Sequence, residues 1–372
     1  MAAAPHPGRL AVAAVRSLSP YVPGKPIAEL EREYGLHDIV KLASNENPYG
    51  ASPQALAAMR AALEQVWLYP DGGCHDLKQA LARQLRVPGD CLTIGNGSND
   101  LLMLLAEAFL TPERSAVYSQ YGFAIYPLVI RGTGARALEV AALGRDSPMP
   151  LGHDLAAMAA AIGEDTRIVF IANPNNPTGT WVSEPPLKQL LEQAPASTLV
   201  VLDEAYYEYA AEHGSGEALT WLALHPNLVI LRTFSKAYGL AGARVGYAIS
   251  HPEVADVLNR LRPAFNVNSL AQAGAVAALA DQQHMRRSVA ATVRERERVA
   301  AQLARLELWC APSIANFLLV RVGPAAQVYQ ALLRQGIIAR PVGGYGLHDC
   351  LRISIGLPQE NDRLLAALSQ PL

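Results

Sequence analysis

The sequence predicts an α/β fold in which helices flank a mostly parallel central sheet, with a second, smaller α+β domain. Three short β-branched runs carry this prediction: "RIVFIA" (167–172), "TLVVLD" (198–203) and "NLVILR" (227–232). Each run is almost continuously apolar, as strands buried on both faces are. Between the first two lies "EPPLKQLLEQAP", whose paired prolines suit a helix start before a helical apolar rhythm. Strands that alternate with helices indicate a parallel sheet.

The C-terminal part of the chain has a different pattern, which predicts the smaller domain. Three strand-like runs, "NFLLVRV", "GIIAR" and "LRISIG", flank the helical segment "AAQVYQALLRQ". Before them, the arginine-rich "RRSVAATVRERERVAAQLARL" predicts a long amphipathic helix with a solvated charged face. We expect an N-terminal arm and part of the small domain over residues 1–48, the large domain over 49–260, and the small domain over 261–372.

Composition and charge exclude several classes of protein. Of 372 residues, 51% are apolar and 17% charged, which is typical of a well-buried globular protein of about two domains. The net charge of −2 gives no basic field for nucleic acid or an anionic membrane. No apolar run approaches the roughly 20 residues that span a bilayer, and the N-terminal segment lacks the apolar core of a secretory signal.

The cysteines and histidines do not predict a metal site. Cys74, Cys91, Cys310 and Cys350 form no CxxC pair, so we expect reduced thiols in a cytoplasmic protein. His75 has no second ligand at a suitable spacing. We therefore expect no metal.

Polar side chains follow three predicted strands at the points where the strands end. The strands run into "NPNNPTG" (173–179), "DEAYYEY" (203–209) and "TFSK" (233–236). Taken singly, these are an ordinary turn, a helix cap and a loop. Because ligands gather beyond the carboxyl ends of parallel strands, one edge should collect an amide, a carboxylate, a phenol, hydroxyls and an amine.

This set of groups suits the chemistry of pyridoxal phosphate. A lysine amine with a lowered pKa bonds to the aldehyde of that cofactor. A carboxylate keeps the pyridine nitrogen protonated, so that the ring accepts electrons when the substrate loses its α-proton. An amide and a phenol hold the ring oxygen, while hydroxyls, backbone N–H groups and an arginine hold the phosphate.

The chain resembles a known family over almost its whole length. It is similar to the fold-type I aminotransferases and, within them, to the histidinol-phosphate aminotransferases. Each matching segment is moderately specific, and the ordered set is highly specific. The segments are "LSPYVPGKP", "LASNENPYG", "YPDG", "GNGSND", "NPNNPTG", "DEAY", "RTFSKAYGLAGARVGY" and "LRISIG".

The resemblance implies roles for residues around the cofactor. Lys236 would be the Schiff-base lysine and proton carrier, Asp203 would pair with the pyridinium, and Tyr206 would bond the ring oxygen together with an amide. The other expected cofactor contacts are the amide Asn176, the stacking ring Tyr121, and the phosphate-side groups Ser98, Asn99, Thr233, Ser235 and Arg244.

The resemblance also implies substrate contacts and a partner subunit. Arg352 would take the anionic end of both the amino donor and glutamate, Arg340 would be a second anion-binding arginine, and Tyr21 would close over them. An ordinary surface ion pair is the competing interpretation for Arg340. Tyr69 would reach the phosphate of the other subunit's cofactor, so the expected protein is a homodimer with shared active sites.

The implied reaction is transamination of L-histidinol phosphate with 2-oxoglutarate in histidine biosynthesis. The sequence departs from the family pattern at Ala243, Asn99, Cys74 and His75, changes that bear on substrate preference. An aromatic amino-acid aminotransferase is therefore the nearest alternative, and a threonine-phosphate decarboxylase a more distant one. A transcriptional regulator on this scaffold is disfavoured because no helix-turn-helix segment or basic patch is present. A non-catalytic binding protein is disfavoured by the intact lysine, aspartate and arginines.

Overall fold

The central sheet and its helices occupy most of the structure, a computed structural model that describes residues 7–210 and 218–370. Its strands are β1 (Val40–Lys41), β2 (Leu92–Gly95), β3 (Ser115–Ser119), β4 (Arg136–Val140), β5 (Thr166–Ala172), β6 (Leu199–Asp203), β7 (Leu228–Thr233), β8 (Gly246–Ser250), β9 (Phe317–Arg321), β10 (Ile337–Ile338), β11 (Arg340–Pro341) and β12 (Cys350–Ser354). Its α-helices are α1 (Ala13–Arg16), α2 (Ile27–Tyr34), α3 (Pro53–Ala62), α4 (His75–Leu85), α5 (Ser98–Phe109), α6 (Ile125–Gly132), α7 (Leu155–Ala160), α8 (Glu184–Gln193), α9 (Tyr207–Ala210), α10 (Ala218–Trp221), α11 (Pro252–Leu261), α12 (Ser269–Ala280), α13 (Gln282–Arg305), α14 (Ala325–Arg334) and α15 (Pro358–Leu368).

The large sheet has seven strands in the order β2-β8-β7-β6-β5-β3-β4. Strand β8 runs antiparallel to both of its neighbours, and the other pairings are parallel. The fold class expected from the sequence is thereby confirmed. Because β5, β6 and β7 are adjacent and parallel, the polar segments at their carboxyl ends meet at one edge.

Alternate residues of the central strands face two separate cores. On β6, Val200 and Leu202 pack into the core on one face of the sheet, whereas Val201 packs into the core on the other. A strand buried on both faces has no polar face, which explains the continuous apolar runs in the sequence. The first polar side chain of β6 is Asp203, at the carboxyl end of the strand.

The small domain is built around a three-stranded antiparallel sheet with the order β11-β12-β9. The N-terminal strand β1 pairs in parallel with β10 to form a separate two-stranded sheet. Val40 and Leu42 lie in the same core as Val320 and Leu351. The N-terminal segment therefore packs with the C-terminal residues, and assigning residues 1–48 in part to the small domain stays a proposal.

Helix α12 packs with the large domain, although the sequence suggested a boundary near residue 261. Ala271 and Ala275 of α12 lie in the core beside the central sheet. Gly274 lets α12 approach α3 closely, since a Cβ there would lie 2.8 Å from a side-chain atom of Met59. We therefore propose that the large domain extends to about residue 281, where α13 begins.

The long helix α13 matches the predicted amphipathic segment, except that one of its charged residues is buried. Arg296 is buried and donates a hydrogen bond to the backbone oxygen of Ala315 at 3.1 Å. This arginine ties α13 to the chain that enters β9 and is not part of a solvated face. Among the described residues, no helix combines the length and apolar character needed to cross a bilayer.

Candidate active site

A cavity of about 270 Å³ lies beyond the carboxyl ends of β5, β6 and β7. It brings together side chains from the large sheet, the N-terminal segment and the small domain. Twelve of the fourteen residues expected at the site line it. They are Tyr21, Ser98, Asn99, Asn176, Asp203, Tyr206, Thr233, Ser235, Lys236, Arg244, Arg340 and Arg352.

Lys236 follows β7 by three residues and faces this cavity. Its Nζ donates to the backbone oxygen of Ser44 at 3.2 Å and lies 5.8 Å from the ring centre of Tyr206. Burial lowers the pKa of Lys236 to about 8, with the positive charge of Arg352 acting in the same direction. A buried amine with a pKa near neutrality is available as a nucleophile and as a proton carrier.

Asp203 ends β6 and is buried, with 5% of its surface exposed. Its Oδ2 accepts a hydrogen bond from the hydroxyl of Tyr126 at 2.9 Å, and its Oδ1 accepts from the backbone N–H of Ala205 at 3.3 Å. Burial raises the pKa of Asp203 to about 6. A carboxylate with so few compensating contacts favours a cationic partner in the cavity.

Tyr206 and Asn176 approach the cavity from two neighbouring strand ends. The Tyr206 oxygen accepts from the Nδ2 of Asn45 at 2.9 Å. The Oδ1 of Asn176 accepts from the guanidinium of Arg352 at 2.6 Å. Both residues therefore keep a hydrogen-bond donor for a ligand: the phenolic proton of Tyr206 and the Nδ2 of Asn176.

One end of the cavity is built to hold an anion. Gly97 (φ 86°) precedes α5, and a Cβ at Gly97 would collide with the guanidinium of Arg244. The first turn of α5 therefore presents backbone N–H groups beside an arginine. Arg244 also donates to the hydroxyl of Ser235 at 3.3 Å, and the hydroxyl of Thr233 accepts from the backbone N–H of Ser235 at 3.1 Å.

Two arginines from the small domain lie at the other side of the cavity. Arg352 on β12 is buried, and its Nε has no hydrogen-bond partner among the described residues. Arg340 on β11 donates to the backbone oxygen of Val22 at 2.6 Å and lies over the ring of Tyr21, 5.5 Å from its centre. In the described part of the chain Arg340 contacts Tyr21 and not a carboxylate, so the surface ion-pair interpretation loses its support.

The expected stacking residue, Tyr121, does not line the cavity. Its side chain packs against the small core cluster that contains Leu151 and Leu347, and its backbone oxygen accepts a hydrogen bond from the Nδ2 of Asn175. Phe123, two residues later in the same loop, lines the cavity instead. We therefore replace Tyr121 by Phe123 as the proposed stacking residue. Both aromatic residues occur in "QYGFAIY", and no hydrophobic periodicity in this loop shows which of them faces the cavity.

Tyr69 is also absent from the cavity wall of its own chain. It is 83% exposed and stacks on Phe265 with ring centres 4.8 Å apart. Nearby, Cys74 is buried at a positive φ of 50°, and the backbone N–H of His75 donates to Asp71 at 2.7 Å. Cys74 and His75 thus form the turn that starts α4.

The structure adds positioning residues that the sequence did not reveal. Asn45, which the sequence suggested only as a structural residue of the segment "LASNENPYG", donates a hydrogen bond to Tyr206 and lines the cavity. Tyr126 bonds Asp203, and its ring stacks on Phe170 with centres 4.9 Å apart. Neither contact has a sequence signal, because both partners are distant along the chain.

Comparison with known proteins identifies a matching family. The family model described as "Aminotransferase class I and II" matches residues 37–368. A histidinol-phosphate aminotransferase of Methylobacillus flagellatus is 53% identical over 360 residues, covering 96% of each chain.

Solved structures also match the chain over most of its length. The histidinol-phosphate aminotransferase of Sinorhizobium meliloti, solved in complex with pyridoxal-5'-phosphate, is 33% identical with a TM-score of 0.88, covering 97% of this chain and 96% of that one. An L-threonine-O-3-phosphate decarboxylase of Porphyromonas gingivalis shares the fold at 23% identity and a TM-score of 0.77, covering 89% of this chain and 98% of that one. Because the family model matches most of its length, the chain belongs to the aminotransferase class I and II family.

Proposed function

We propose that the protein transfers the amino group of L-histidinol phosphate to 2-oxoglutarate, giving imidazole-acetol phosphate and L-glutamate, in histidine biosynthesis. The single observation that carries this proposal is the pair of arginines, Arg352 and Arg340, that line the same cavity as Lys236. Two guanidinium groups suit a substrate phosphate, which has more charge and more acceptor oxygens than a carboxylate. The names of relatives about half identical to the chain support the same substrate.

We propose pyridoxal 5'-phosphate as the cofactor, and the donor set fits it. The anion site at the start of α5, with Arg244 and Ser235, suits the phosphate. Asp203, buried and in no ion pair among the described residues, suits a protonated pyridine nitrogen, and Lys236 lines the same cavity. Tyr206 and Asn176 retain free donors for the ring oxygen, and Phe123 supplies an aromatic face.

When bound, the cofactor supplies an electron-accepting ring for the carbon that loses its proton. The protein supplies the rest of the chemistry. Lys236 accepts and returns the proton, which its pKa of about 8 suits. Asp203 stabilises positive charge on the ring nitrogen, and Arg352 orients the anionic end of each substrate.

We propose that two copies of the chain form the working enzyme. An exposed apolar run precedes α4, in which Val66 is 63% exposed, Trp67 79% and Tyr69 83%. Contiguous exposed apolar surface of this kind marks an interface. Tyr69 does not reach its own cavity, so a position in the partner's site accounts for its exposure. We also propose a cytoplasmic location, which suits the unpaired cysteines.

A panel of amino donors tests the proposed substrate. Histidinol phosphate, phenylalanine, tyrosine and aspartate are each supplied with 2-oxoglutarate, and glutamate formation is measured as kcat/KM. We expect histidinol phosphate to exceed the others by at least about tenfold, since it uses the second arginine. A higher value for phenylalanine or tyrosine would assign the protein to aromatic amino acids. Release of carbon dioxide from threonine phosphate would indicate a decarboxylase.

A further inference from the structure

We infer that Asn45 and Ser354 are positioning residues that fix the direction of the Tyr206 hydroxyl proton, so that this phenol donates its hydrogen bond into the cavity. The inference rests on the proposed cofactor chemistry and not on the choice of amino donor. Both residues act through Tyr206. Neither is needed to carry a proton or to bind a substrate anion.

The difficulty for Tyr206 is that a phenol has a single proton to donate. Tyr206 is buried, and its oxygen lies 2.9 Å from the side-chain nitrogen of Asn45. An amide side chain offers either N–H donors or an oxygen acceptor at nearly the same position. If Asn45 presented its oxygen, Tyr206 would donate to it, and no proton would remain for a cofactor oxygen.

Ser354 determines which end of the Asn45 amide faces Tyr206. The hydroxyl oxygen of Ser354 accepts from the backbone N–H of Asn45 at 2.8 Å, and its proton is donated to the Oδ1 of Asn45 at 2.8 Å. With Oδ1 engaged by that hydroxyl, Nδ2 is the end that faces Tyr206. Because Nδ2 can only donate, the Tyr206 oxygen accepts, and its own proton remains free for the cavity.

The reversed amide would leave hydrogen bonds unmade. The Ser354 oxygen would then face two N–H donors from Asn45, and its own proton would lose the acceptor it now has. An unsatisfied buried donor is unfavourable, so the orientation with Nδ2 towards Tyr206 is preferred.

The backbone of Asn45 is fixed from the small domain as well. Asn45 is 1% exposed and has a φ of 55°, in the left-handed region that asparagine tolerates better than most residues. Its backbone oxygen accepts from the Nδ2 of Asn316 at 2.9 Å. The amide therefore cannot shift away from Tyr206 without losing these contacts.

Strand β12 consequently directs two donors into one cavity. Ser354 follows Arg352 by two residues, so both side chains lie on the same face of the strand. Arg352 donates to the side-chain oxygen of Asn176, so the Nδ2 of Asn176 stays free to donate. Ser354 bonds the side-chain oxygen of Asn45, so the hydroxyl proton of Tyr206 stays free to donate. Two residues of the small domain thus determine that Asn176 and Tyr206 donate hydrogen bonds to the proposed cofactor oxygen and do not accept them.

The test compares Ser354→Ala with Ser354→Thr, which keeps the hydroxyl. The readout is the pH midpoint of the absorbance change of the bound cofactor, measured without any substrate. A hydrogen bond donated to an oxygen lowers its basicity, so losing the Tyr206 donor should raise this midpoint. We expect a rise of about half a pH unit to one unit in Ser354→Ala, a similar or larger rise in Tyr206→Phe, and little change in Ser354→Thr.

A double variant separates this effect from general damage. In the Tyr206→Phe background, Ser354→Ala should add no further rise, because the proton it misdirects is absent. An additive rise, an equal rise in Ser354→Thr, or no response to Tyr206→Phe would each overturn the inference. Since the readout needs no amino donor, it is independent of whether histidinol phosphate is the substrate.

A second variant serves if Ser354→Ala does not fold. Asn45→Asp keeps the shape of the side chain, but its carboxylate only accepts hydrogen bonds and would take the Tyr206 proton. The midpoint should then rise more when Tyr206 is present than in the Tyr206→Phe background. Equal rises in the two backgrounds would reflect the added charge alone and would overturn the inference.

Discussion

The guanidinium of Arg352 donates to the side-chain oxygen of Asn176 across 2.6 Å, joining strand β12 of the small domain to the segment after β5. Arg352 is buried, burial lowers its pKa, and its Nε has no partner in the described structure. In the proposed site Arg352 would hold the anionic end of the substrate, and it also orients the amide of Asn176. If both roles hold, substrate binding and the hydrogen bonding of the cofactor would depend on the same side chain.

We predict that Arg352→Ala weakens both half-reactions. A charge-assisted hydrogen bond contributes about 1.5–3 kcal/mol, so each half-reaction should lose about tenfold or more. Single-turnover absorbance changes with histidinol phosphate and with glutamate measure the two separately. Arg321→Ala, at an exposed position on β9, is the control and should leave both rates near those of the unmodified protein. A loss confined to one donor would contradict the shared role of Arg352.

Arg340→Ala should instead discriminate between the donors. Arg340 lies beside Tyr21 at the edge of the cavity and offers a second positive charge to a phosphate. The variant should therefore lose more activity with histidinol phosphate than with glutamate, by about fivefold or more in the ratio of the two rates. The same single-turnover measurements give this ratio. An equal loss with both donors would mean that Arg340 does not bind the phosphate.

Asp203 should make the stability of the cofactor-free protein depend on pH. Burial raises its pKa to about 6, so between about pH 4 and 6 the folded protein holds a proton that the unfolded chain has released. Stability should consequently fall as the pH rises through this window. In Asp203→Asn this contribution, about 2–3 kcal/mol, should disappear. Urea unfolding of both proteins across the window measures it, and identical pH profiles would contradict the assignment.

Mixing two inactive variants tests the role of Tyr69. Lys236→Ala removes the amine from one chain, and Tyr69→Ala removes the residue proposed to enter the partner's site. In a mixed dimer, one site recovers an intact Lys236 and an intact partner Tyr69. After unfolding and refolding together in equal amounts, activity should return to about a quarter of the wild-type level. Activity that stays at the level of the separate variants would show that Tyr69 serves its own subunit.

The sheet and most of the site could be predicted from the sequence because local patterns determine them. The apolar runs ending at Asp203 and Arg232 fix two strands, and parallel pairing brings the polar segments at their carboxyl ends together. For this reason, the placement of Lys236 and Asn176 at one edge could be predicted. Their roles were implied by the resemblance of the segments that contain them, and they stay predictions.

The remaining features depend on contacts between residues far apart in the chain. Tyr121 and Phe123 are equivalent in pattern, and only the path of the loop decides that Phe123 faces the cavity. The contact between Asn45 and Tyr206 joins residues 161 positions apart. Arg296 is part of a charged helical pattern, yet it is buried because α13 crosses the start of β9.

Identifying the residue that carries the cofactor is the most direct test of the site. Borohydride reduction of the bound cofactor, followed by peptide mapping, fixes it on its attachment residue. We predict that the label lies on Lys236, whose pKa is lowered to about 8 in the cavity, and that Lys236→Ala acquires none. Lys41, which forms an ion pair with Glu46 at 2.6 Å, should remain unlabelled. A label on Lys41, Lys78 or Lys188 would contradict the proposed active site.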